Sequence, residues 1–331
     1  MQRSGCRCRV AGRTSGHVGA GSWIRRPRSV GAVRVLVTGA TGFIGRHVCR
    51  VLSAAGHSVM GTTRESDELV RSSCSSMCAY RMGEPLPEAL AEFEPEALAH
   101  LAWEGIPDFS TEQCLKNRLD QESFFRSILM SPALRRVVVA GTCREYGGLV
   151  GRSPGTVEVS PVDEFGRAKD AVHRMLRLAC GESQVDLTWF RLFYVYGPGQ
   201  RRESLIPSLL HQLGSGQVPR IENPDSAHDF VYVGDVATAF RLAVESTGGP
   251  EVADLGSGDL HQVQEVLEAA GVGSDLTSRQ AEERSRPPAG GIWANLDAAR
   301  GGLGWQPTTS LVEGIGLTRV AAVGSRTRGI C

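Results

Sequence analysis

The chain has 331 residues, of which 36 are basic and 36 acidic, so its formal net charge at pH 7 is zero. Residues 1–32 contain seven arginines and no acidic residue, which leaves 29 basic residues against 36 acidic ones in the remainder. A net-negative body argues against nucleic acid as its partner, because nucleic acids attract clustered Lys and Arg. No apolar run approaches the roughly 20 residues that span a bilayer, so we expect a cytoplasmic protein with no membrane partner.

The composition is that of an ordinary globular protein, with 41% hydrophobic and 22% charged residues. A body of about 300 residues suffices for one large domain or two small ones. The nine cysteines are an odd number, and Cys74 and Cys78 have no second pair or histidine cluster at the spacing of zinc ligands. We therefore expect free thiols in a reducing compartment and no metal site.

The arginine-rich segment 1–32 combines Arg, Gly and Ser with few large apolar side chains. Such a composition buries too little surface to offset the entropy lost on ordering, so the segment is predicted to be disordered. We interpret it as a leader upstream of the true start. An organelle-targeting segment and a basic arm for nucleic acid are the alternatives.

The body opens with the pattern of a strand, a glycine-rich turn and a helix. A β-branched run at 33–37 precedes three regularly spaced glycines, and apolar positions then take helical spacing over 46–52. In a dinucleotide-binding turn, the first glycine permits a tight turn, the second lets the backbone approach a pyrophosphate, and the third lets the helix pack on the strand. The predicted cofactor-binding residues of the turn are Gly39, Thr41, Gly42, Phe43, Ile44 and Gly45.

A second predicted strand, 57–64, ends about 20 residues after the glycines, where the ribose of the cofactor is recognised. An acidic residue at this place would bind the 2′-hydroxyl of NAD, whereas an arginine accommodates the 2′-phosphate of NADP. Arg64 stands there, so NADP(H) is the favoured cofactor and NAD(H) is the alternative.

The following segments alternate between strand and helix patterns. Apolar runs lie at 97–102, 136–140 and 187–192, and helical patterns cover 111–129 and 164–180. This alternation predicts an α/β fold with a doubly wound parallel sheet of the Rossmann type. We assign residues 33–192 to an NAD(P)-binding Rossmann domain, and residues 193–331 mainly to a smaller substrate-binding lobe.

Five segments carry a more specific signal. They read Thr-Gly-Ala-Thr-Gly-Phe-Ile-Gly at 38–45, His-Leu-Ala at 100–102, Gly-Thr-Cys-Arg-Glu-Tyr-Gly at 141–147, Phe-Gly-Arg-Ala-Lys at 165–169 and Arg-Leu-Phe-Tyr-Val-Tyr-Gly-Pro at 191–198. In this order they resemble the motifs of the extended short-chain dehydrogenase/reductase family, which contains nucleotide-sugar epimerases, dehydratases and 4-ketoreductases. Within that family, the sequence is most similar to the dTDP-4-keto-6-deoxyhexose reductases.

The resemblance implies a catalytic set of Ser/Thr, Tyr and Lys, in which the hydroxyl orients the sugar carbonyl, the tyrosine passes a proton, and the lysine lowers the tyrosine pKa and holds the nicotinamide ribose. Thr142 and Lys169 fall on the first and last of these positions. Lys169 is one of two lysines beside 34 arginines. The tyrosine position is Phe165, and the chain has no Tyr-x-x-x-Lys. Residues four apart on a helix share a face, so the phenyl ring should point where the phenol would.

Three outcomes follow from the missing phenol. A water bridged by Thr142 and Lys169 relays the proton, a nearby group such as Glu145, Tyr146 or Thr142 itself acts as the acid, or the protein binds its ligands with negligible turnover. Losing a positioned general acid costs about 10² to 10⁴ in rate, so a slow reductase remains compatible with Phe165.

Other residues take roles by the same resemblance. The implied cofactor-binding residues beyond the glycine turn are Arg64, Leu101, Ala102, Lys169 and Phe193. The implied substrate-binding residues are Thr142, Tyr194, His228 and Arg286. Of these, Arg286 would pair with the diphosphate through its planar fork, whereas His228 replaces a family arginine.

The resemblance also assigns a structural and proton-relay role to Asn117, and it implies a homodimer through the helices at 111–129 and 164–180. The expected function is NADP-dependent reduction of the C4 ketone of a nucleotide-linked 6-deoxyhexose. The alternatives are an epimerase or dehydratase with bound NAD, and a catalytically silent protein that binds NAD(P) or a sugar nucleotide.

Overall fold

The computed structural model describes residues 31–64, 73–217, 219, 223, 226–271 and 290–327. The predicted leader, except for its last two residues, and the predicted diphosphate ligand Arg286 lie outside these ranges. Within them, no helix is both long and apolar enough to cross a membrane.

The N-terminal half alternates strands and helices, as the sequence predicts. Its elements are β1 (Arg34–Thr38), α1 (Phe43–Ala54), β2 (Ser58–Thr63), β3 (Ser76–Ala79), α2 (Glu88–Phe93), β4 (Ala97–His100), α3 (Thr111–Ile128), β5 (Arg136–Thr142), a 3₁₀ turn (Cys143–Tyr146), β6 (Gly151–Arg152), α4 (Glu164–Ser183) and β7 (Asp186–Leu192). Sequence reasoning missed the short β3, because four residues carry too little periodicity to identify a strand.

The C-terminal half consists of shorter elements. They are β8 (Tyr194–Tyr196), α5 (Leu205–Gly214), β9 (Ala227–His228), β10 (Phe230–Tyr232), α6 (Val233–Glu245), β11 (Val252–Leu255), β12 (His261–Gln262), α7 (Val263–Ala269), β13 (Ile292–Trp293), α8 (Asp297–Leu303) and α9 (Leu311–Thr327). The small strands pair among themselves or with β6 and β8, outside the main sheet.

In the part of the chain that the structure describes, the main sheet has seven parallel strands in the order β3-β2-β1-β4-β5-β7-β11. The first strand lies near the centre, and the order reverses there, so the gap between β1 and β4 is a topological switch point. Ligands of doubly wound sheets bind at the carboxyl ends of the strands at such a point. The prediction of a Rossmann-type α/β fold is confirmed.

The strands are buried on both faces. Val35 and Val37 of β1 pack in one core with residues of α1 and α6, while Leu36 between them packs in a second core with residues of α3 and α4. Successive side chains of a strand point to opposite faces, which explains why the central strands read as continuous apolar runs rather than as alternating ones.

The chain returns to the main sheet after residue 192. β11 pairs with the edge of β7, with Ala253 opposite Phe190, and α6 packs against α1. The assigned Rossmann range of 33–192 therefore stops short of the sheet's last strand. A substrate-binding role for the remaining elements stays a prediction.

Candidate active site

The glycine turn between β1 and α1 holds the backbone in a close-packed cradle. Gly39 has φ +68°, and a Cβ there would lie 2.9 Å from the backbone nitrogen of Ala102. A Cβ at Gly45 would lie 2.0 Å from the carbonyl oxygen of Gly39, so neither position tolerates a side chain. Helix α1 starts after Gly42 without a side-chain cap, which leaves its first amide groups to an anion. The cradle thus fits the pyrophosphate of a dinucleotide.

One cavity of about 160 Å³ gathers most of the predicted cofactor residues at the carboxyl ends of β1, β2, β3 and β4. Its lining residues are Gly39, Thr41, Gly42, Thr62, Thr63, Arg64, Tyr80, Arg81, Met82, Leu101, Ala102, Trp103 and Glu104. Gly45 lies beneath the turn, and Phe43 and Ile44 form the first turn of α1. Phe193 is buried in the core beside the sheet, with 4% of its surface exposed.

Sequence reasoning missed seven residues of this cavity, which are Thr62, Thr63, Tyr80, Arg81, Met82, Trp103 and Glu104. Arg64 and Arg81 both donate to the Glu104 carboxylate, at 2.6 and 3.1 Å. The available signal was positional, because residues that follow parallel strands share one edge of the sheet. Without β3, Arg81 could not be placed there.

Two of the predicted catalytic residues, Thr142 and Lys169, lie near the carboxyl end of β5. Lys169, on α4, is 4% exposed, and its Nζ donates to the carbonyl oxygen of Ala140 at 2.8 Å. Thr142 ends the same strand two residues later. Its Oγ1 accepts the backbone N–H of Arg144 at 3.3 Å, so the hydroxyl proton remains able to donate to a ligand.

Lys169 is an unusual cation because it lies away from water. Burial lowers its pKa to about 8, an effect that the negative charge of Glu145 partly opposes. The face of the Trp103 ring lies 4.3 Å from Nζ, which is a cation–π contact. The neighbouring His100 is uncharged at neutral pH, because burial lowers its pKa to about 3.

Phe165 occupies the expected face of α4 beside Lys169, whose Nζ lies 5.9 Å from the ring centroid. Its ring packs edge-on against Trp103, with centroids 5.1 Å apart, and against Phe109 at 4.7 Å. The guanidinium of Arg144 stacks on Phe109, 4.7 Å from the centroid. The phenyl group is thus part of an aromatic cluster and brings no proton donor to the site.

Two of the proposed replacement acids are committed elsewhere. Glu145 forms a fully buried ion pair with Arg191 at 2.8 Å and also accepts from Trp189. Tyr146 is 2% exposed, and its hydroxyl donates to Asp254 at 2.7 Å. Of the alternatives left open for the missing phenol, these two side chains are disfavoured by the structure, because both groups are satisfied in the core.

The predicted substrate residues Tyr194 and His228 lie together, with ring centroids 4.1 Å apart. They line a cavity of about 300 Å³ with Gln200, whose Nε2 donates to the carbonyl oxygen of Val195 at 3.0 Å. The Gln200 Oε1 is buried and has no hydrogen-bond partner among the described residues. Burial lowers the pKa of His228, so the ring is neutral at pH 7 and cannot act as the family arginine would.

Asn117 has a clear structural role. It is 4% exposed on α3, and its amide accepts from the backbone N–H of Glu104 at 2.8 Å and donates to the carbonyl oxygen of the same residue at 2.9 Å. It thereby fixes the loop after β4, which carries Trp103. Its proton-relay role stays a prediction.

Three relatives are similar over most of their length. The dTDP-6-deoxy-L-talose 4-dehydrogenase (NAD(P)(+)) of Kitasatospora kifunensis is 29% identical over 300 residues, which are 85% of this chain and 93% of that protein. UDP-glucose 4-epimerase of Mycolicibacterium smegmatis is 27% identical over 315 residues, which are 86% of this chain and 97% of that protein. The dTDP-4-dehydro-6-deoxyglucose reductase of Escherichia coli is 23% identical over 302 residues, which are 85% of this chain and 95% of that protein.

Solved structures share the fold. MoeE5 in complex with UDP-glucuronic acid and NAD has a TM-score of 0.72 at 25% identity, and UDP-glucose 4-epimerase of Thermotoga maritima with UDP-glucose has 0.73 at 23%. Each comparison covers 88% of this chain and 99% of the other. Residues 35–256 match the model of the NAD dependent epimerase/dehydratase family. The chain belongs to this family, whose members similar to it are NAD(P)-dependent oxidoreductases and epimerases of sugar nucleotides, and the resemblance found in the sequence is confirmed.

Proposed function

We propose that the protein reduces the C4 ketone of a nucleotide-linked 6-deoxyhexose with NADP(H). The observation that carries the proposal is the position of Thr142 and Lys169 at the end of β5, two strands from the glycine cradle. A hydroxyl and an ammonium at this edge suit a carbonyl oxygen that must accept a proton. The names of two relatives, a 4-dehydrogenase and a 4-keto sugar reductase, support the choice of carbon.

The cofactor would be held by the glycine turn and would supply the hydride. The hydroxyl of Thr142 donates to the C4 oxygen and orients the carbonyl. The ammonium of Lys169 gives the proton, so that hydride addition at C4 and protonation of its oxygen yield a hydroxyl group. A pKa of about 8 suits this role, because a general acid works best when its pKa lies near the working pH.

NADP(H) is preferred in this proposal because Arg64 and Arg81 converge at the ends of β2 and β3. Paired guanidinium forks suit a phosphate better than a hydroxyl. NAD(H) is the alternative cofactor.

The test incubates the purified protein with NADPH and a dTDP-4-keto-6-deoxyhexose while the absorbance of the reduced nicotinamide is followed. We expect oxidation above a cofactor-only blank. We also expect Phe165→Tyr to accelerate it by up to about 10²-fold, since the variant regains a positioned phenol. No oxidation by the native chain contradicts the proposal.

A second candidate, a silent binding protein, is favoured by one observation, the apolar surroundings of Phe165. Binding of NADPH and sugar nucleotide without turnover, in the native chain and in Phe165→Tyr alike, would support it. Tightly bound NAD that copurifies with the protein would instead indicate an epimerase or dehydratase.

A further inference from the structure

The carboxylate of Glu104 is the centre of a cluster of cations beside the cofactor cavity. Oε1 accepts from Arg64 at 2.6 Å and from Arg81 at 3.1 Å, and Oε2 accepts from Lys116 at 2.7 Å. The hydrogen bond with Lys116 is the largest of the contributions that hold the pKa of Glu104 below its usual value. The group is therefore an anion at neutral pH.

Among the described residues, the cluster carries an excess of positive charge. Three cations surround Glu104 there, and one further carboxylate, Asp120, contacts Lys116 at 2.7 Å. Arg64 and Arg81 are each about half exposed, at 55% and 53%, so both side chains can change partner. They donate to the same carboxylate oxygen, and arginine side chains form strong hydrogen bonds with phosphate oxygens as well as with carboxylates.

The backbone of Glu104 is held in place by hydrogen bonds, so it cannot easily move when the arginines change partner. Asn117 binds both its N–H and its carbonyl oxygen, and Gln113 donates to the same carbonyl oxygen at 3.1 Å. The anchored backbone leaves the side chain as the part that can move. A rotation about its side-chain bonds is enough to withdraw the carboxylate from the arginines.

We propose that Glu104 is a specificity-determining residue that occupies the place of the 2′-phosphate and competes with it for Arg64 and Arg81. The inference rests on the proposed function only for its choice of NADP(H). A phosphate monoester carries about −1.5 to −2 charges and three acceptor oxygens, so it displaces a single carboxylate from two arginines. A nucleotide without the 2′-phosphate leaves the ion pairs of Glu104 intact.

The test measures binding of 2′,5′-ADP and of 5′-AMP to the full chain by calorimetry, with no turnover involved. Glu104→Gln keeps the shape of the side chain and removes the competing charge, so 2′,5′-ADP should bind roughly tenfold tighter while 5′-AMP is unchanged. Arg81→Met should weaken 2′,5′-ADP roughly tenfold or more and leave 5′-AMP unchanged.

The matched controls are Glu122→Gln and Arg118→Met, which break an ion pair on α3 away from the cavity and should change neither affinity. Unchanged or weaker binding of 2′,5′-ADP to Glu104→Gln overturns the proposal. Weaker binding of 5′-AMP to Glu104→Gln would indicate that Glu104 binds the ribose hydroxyls instead, which also overturns the proposal. The proposal is overturned as well if the native chain binds neither nucleotide. The binding measurements can still be interpreted if the protein has no ketone reductase activity. Failure of the proposed function is therefore distinguishable from failure of this proposal.

Discussion

The difference between Phe165 and a tyrosine is one oxygen atom, and its loss changes which group can give a proton. Glu145 and Tyr146 are satisfied in the core, whereas burial lowers the pKa of Lys169, which binds the carbonyl oxygen of Ala140 on β5. The indole ring of Trp103 covers the ammonium group of Lys169 and shields it from solvent. A lysine that assists a phenol in the family thus becomes the candidate acid here.

The pH dependence of ketone reduction tests this role. Lys169 is protonated below its pKa of about 8 and loses the proton above it, so kcat/KM should be constant at lower pH and fall about tenfold per unit above pH 8. Lys169→Arg keeps the charge but cannot release a proton, and should lower kcat by about 10² to 10⁴. A native profile that stays flat through pH 9 would show that another group is the acid.

Gly141 tests the packing beside Thr142, the next residue of β5. A Cβ at this position would lie 2.1 Å from Trp189 Nε1 and 2.6 Å from Glu145 Oε1, both buried atoms. We expect Gly141→Ala to lower the free energy of unfolding by about 1–3 kcal/mol through overpacking. In the control Gly181→Ala, nothing lies within 4 Å of the new methyl group on α4, and stability should rise by up to about 1 kcal/mol. Chemical denaturation measures both, and equal effects would refute the packing argument.

At the scale of elements, the loop after β4 joins two parts of the cofactor site. Trp103 lies on Lys169 near the end of β5, and the next residue, Glu104, binds the arginines that follow β2 and β3. Asn117 of α3 fixes the backbone between these contacts. The loop therefore sets the distance between Lys169 and the two arginines.

The ion pair of Arg191 and Glu145 joins β7 to the 3₁₀ turn after Thr142. Arg191 also donates to the backbone carbonyl oxygens of Thr156 and Val157, and its side chain is fully buried. Arg191→Met leaves the Glu145 carboxylate buried without its partner, so we expect a loss of about 3–5 kcal/mol in unfolding free energy.

The control for this prediction is Arg118→Met, which breaks a partly exposed pair on α3 and should cost under about 1 kcal/mol. Thermal and chemical denaturation of the two variants give the comparison. A similar small loss for both would mean that the buried pair contributes little.

For the whole molecule, the outer surface of α3 and α4 supports the homodimer that the family resemblance implies. The two helices pack side by side, and Leu115, Leu119 and Leu178 are 46%, 51% and 70% exposed on them. Exposed apolar side chains on neighbouring helices favour burial against a second copy.

The prediction is that the native chain sediments as a dimer and that Leu119→Glu shifts it to the monomer by at least about tenfold in dissociation constant. The control Met130→Glu changes an exposed residue just beyond α3, 81% exposed, and should leave the dimer intact. Sedimentation velocity measures both variants. A monomeric native chain would refute the interface.

The main strands and helices of residues 33–192 were predicted from the sequence alone, because apolar runs and glycine spacing are local signals that persist in the fold. The cradle of Gly39 and Gly45 was predictable for the same reason, whereas the catalytic assignment of Thr142 and Lys169 came from the family resemblance. In contrast, β3 and the return of β11 to the sheet depend on pairings between distant segments.

Tertiary structure alone decided the electrostatics. The buried partners of Glu145 and Tyr146, the cover of Trp103 over Lys169 and the convergence of Arg64 and Arg81 on Glu104 join residues far apart in the chain. No local pattern encodes such contacts, since burial and charge pairing arise only when separate elements are brought to one edge of the sheet. The sequence therefore identified the family and the missing phenol, and the fold decided that Glu145 and Tyr146 are engaged in the core.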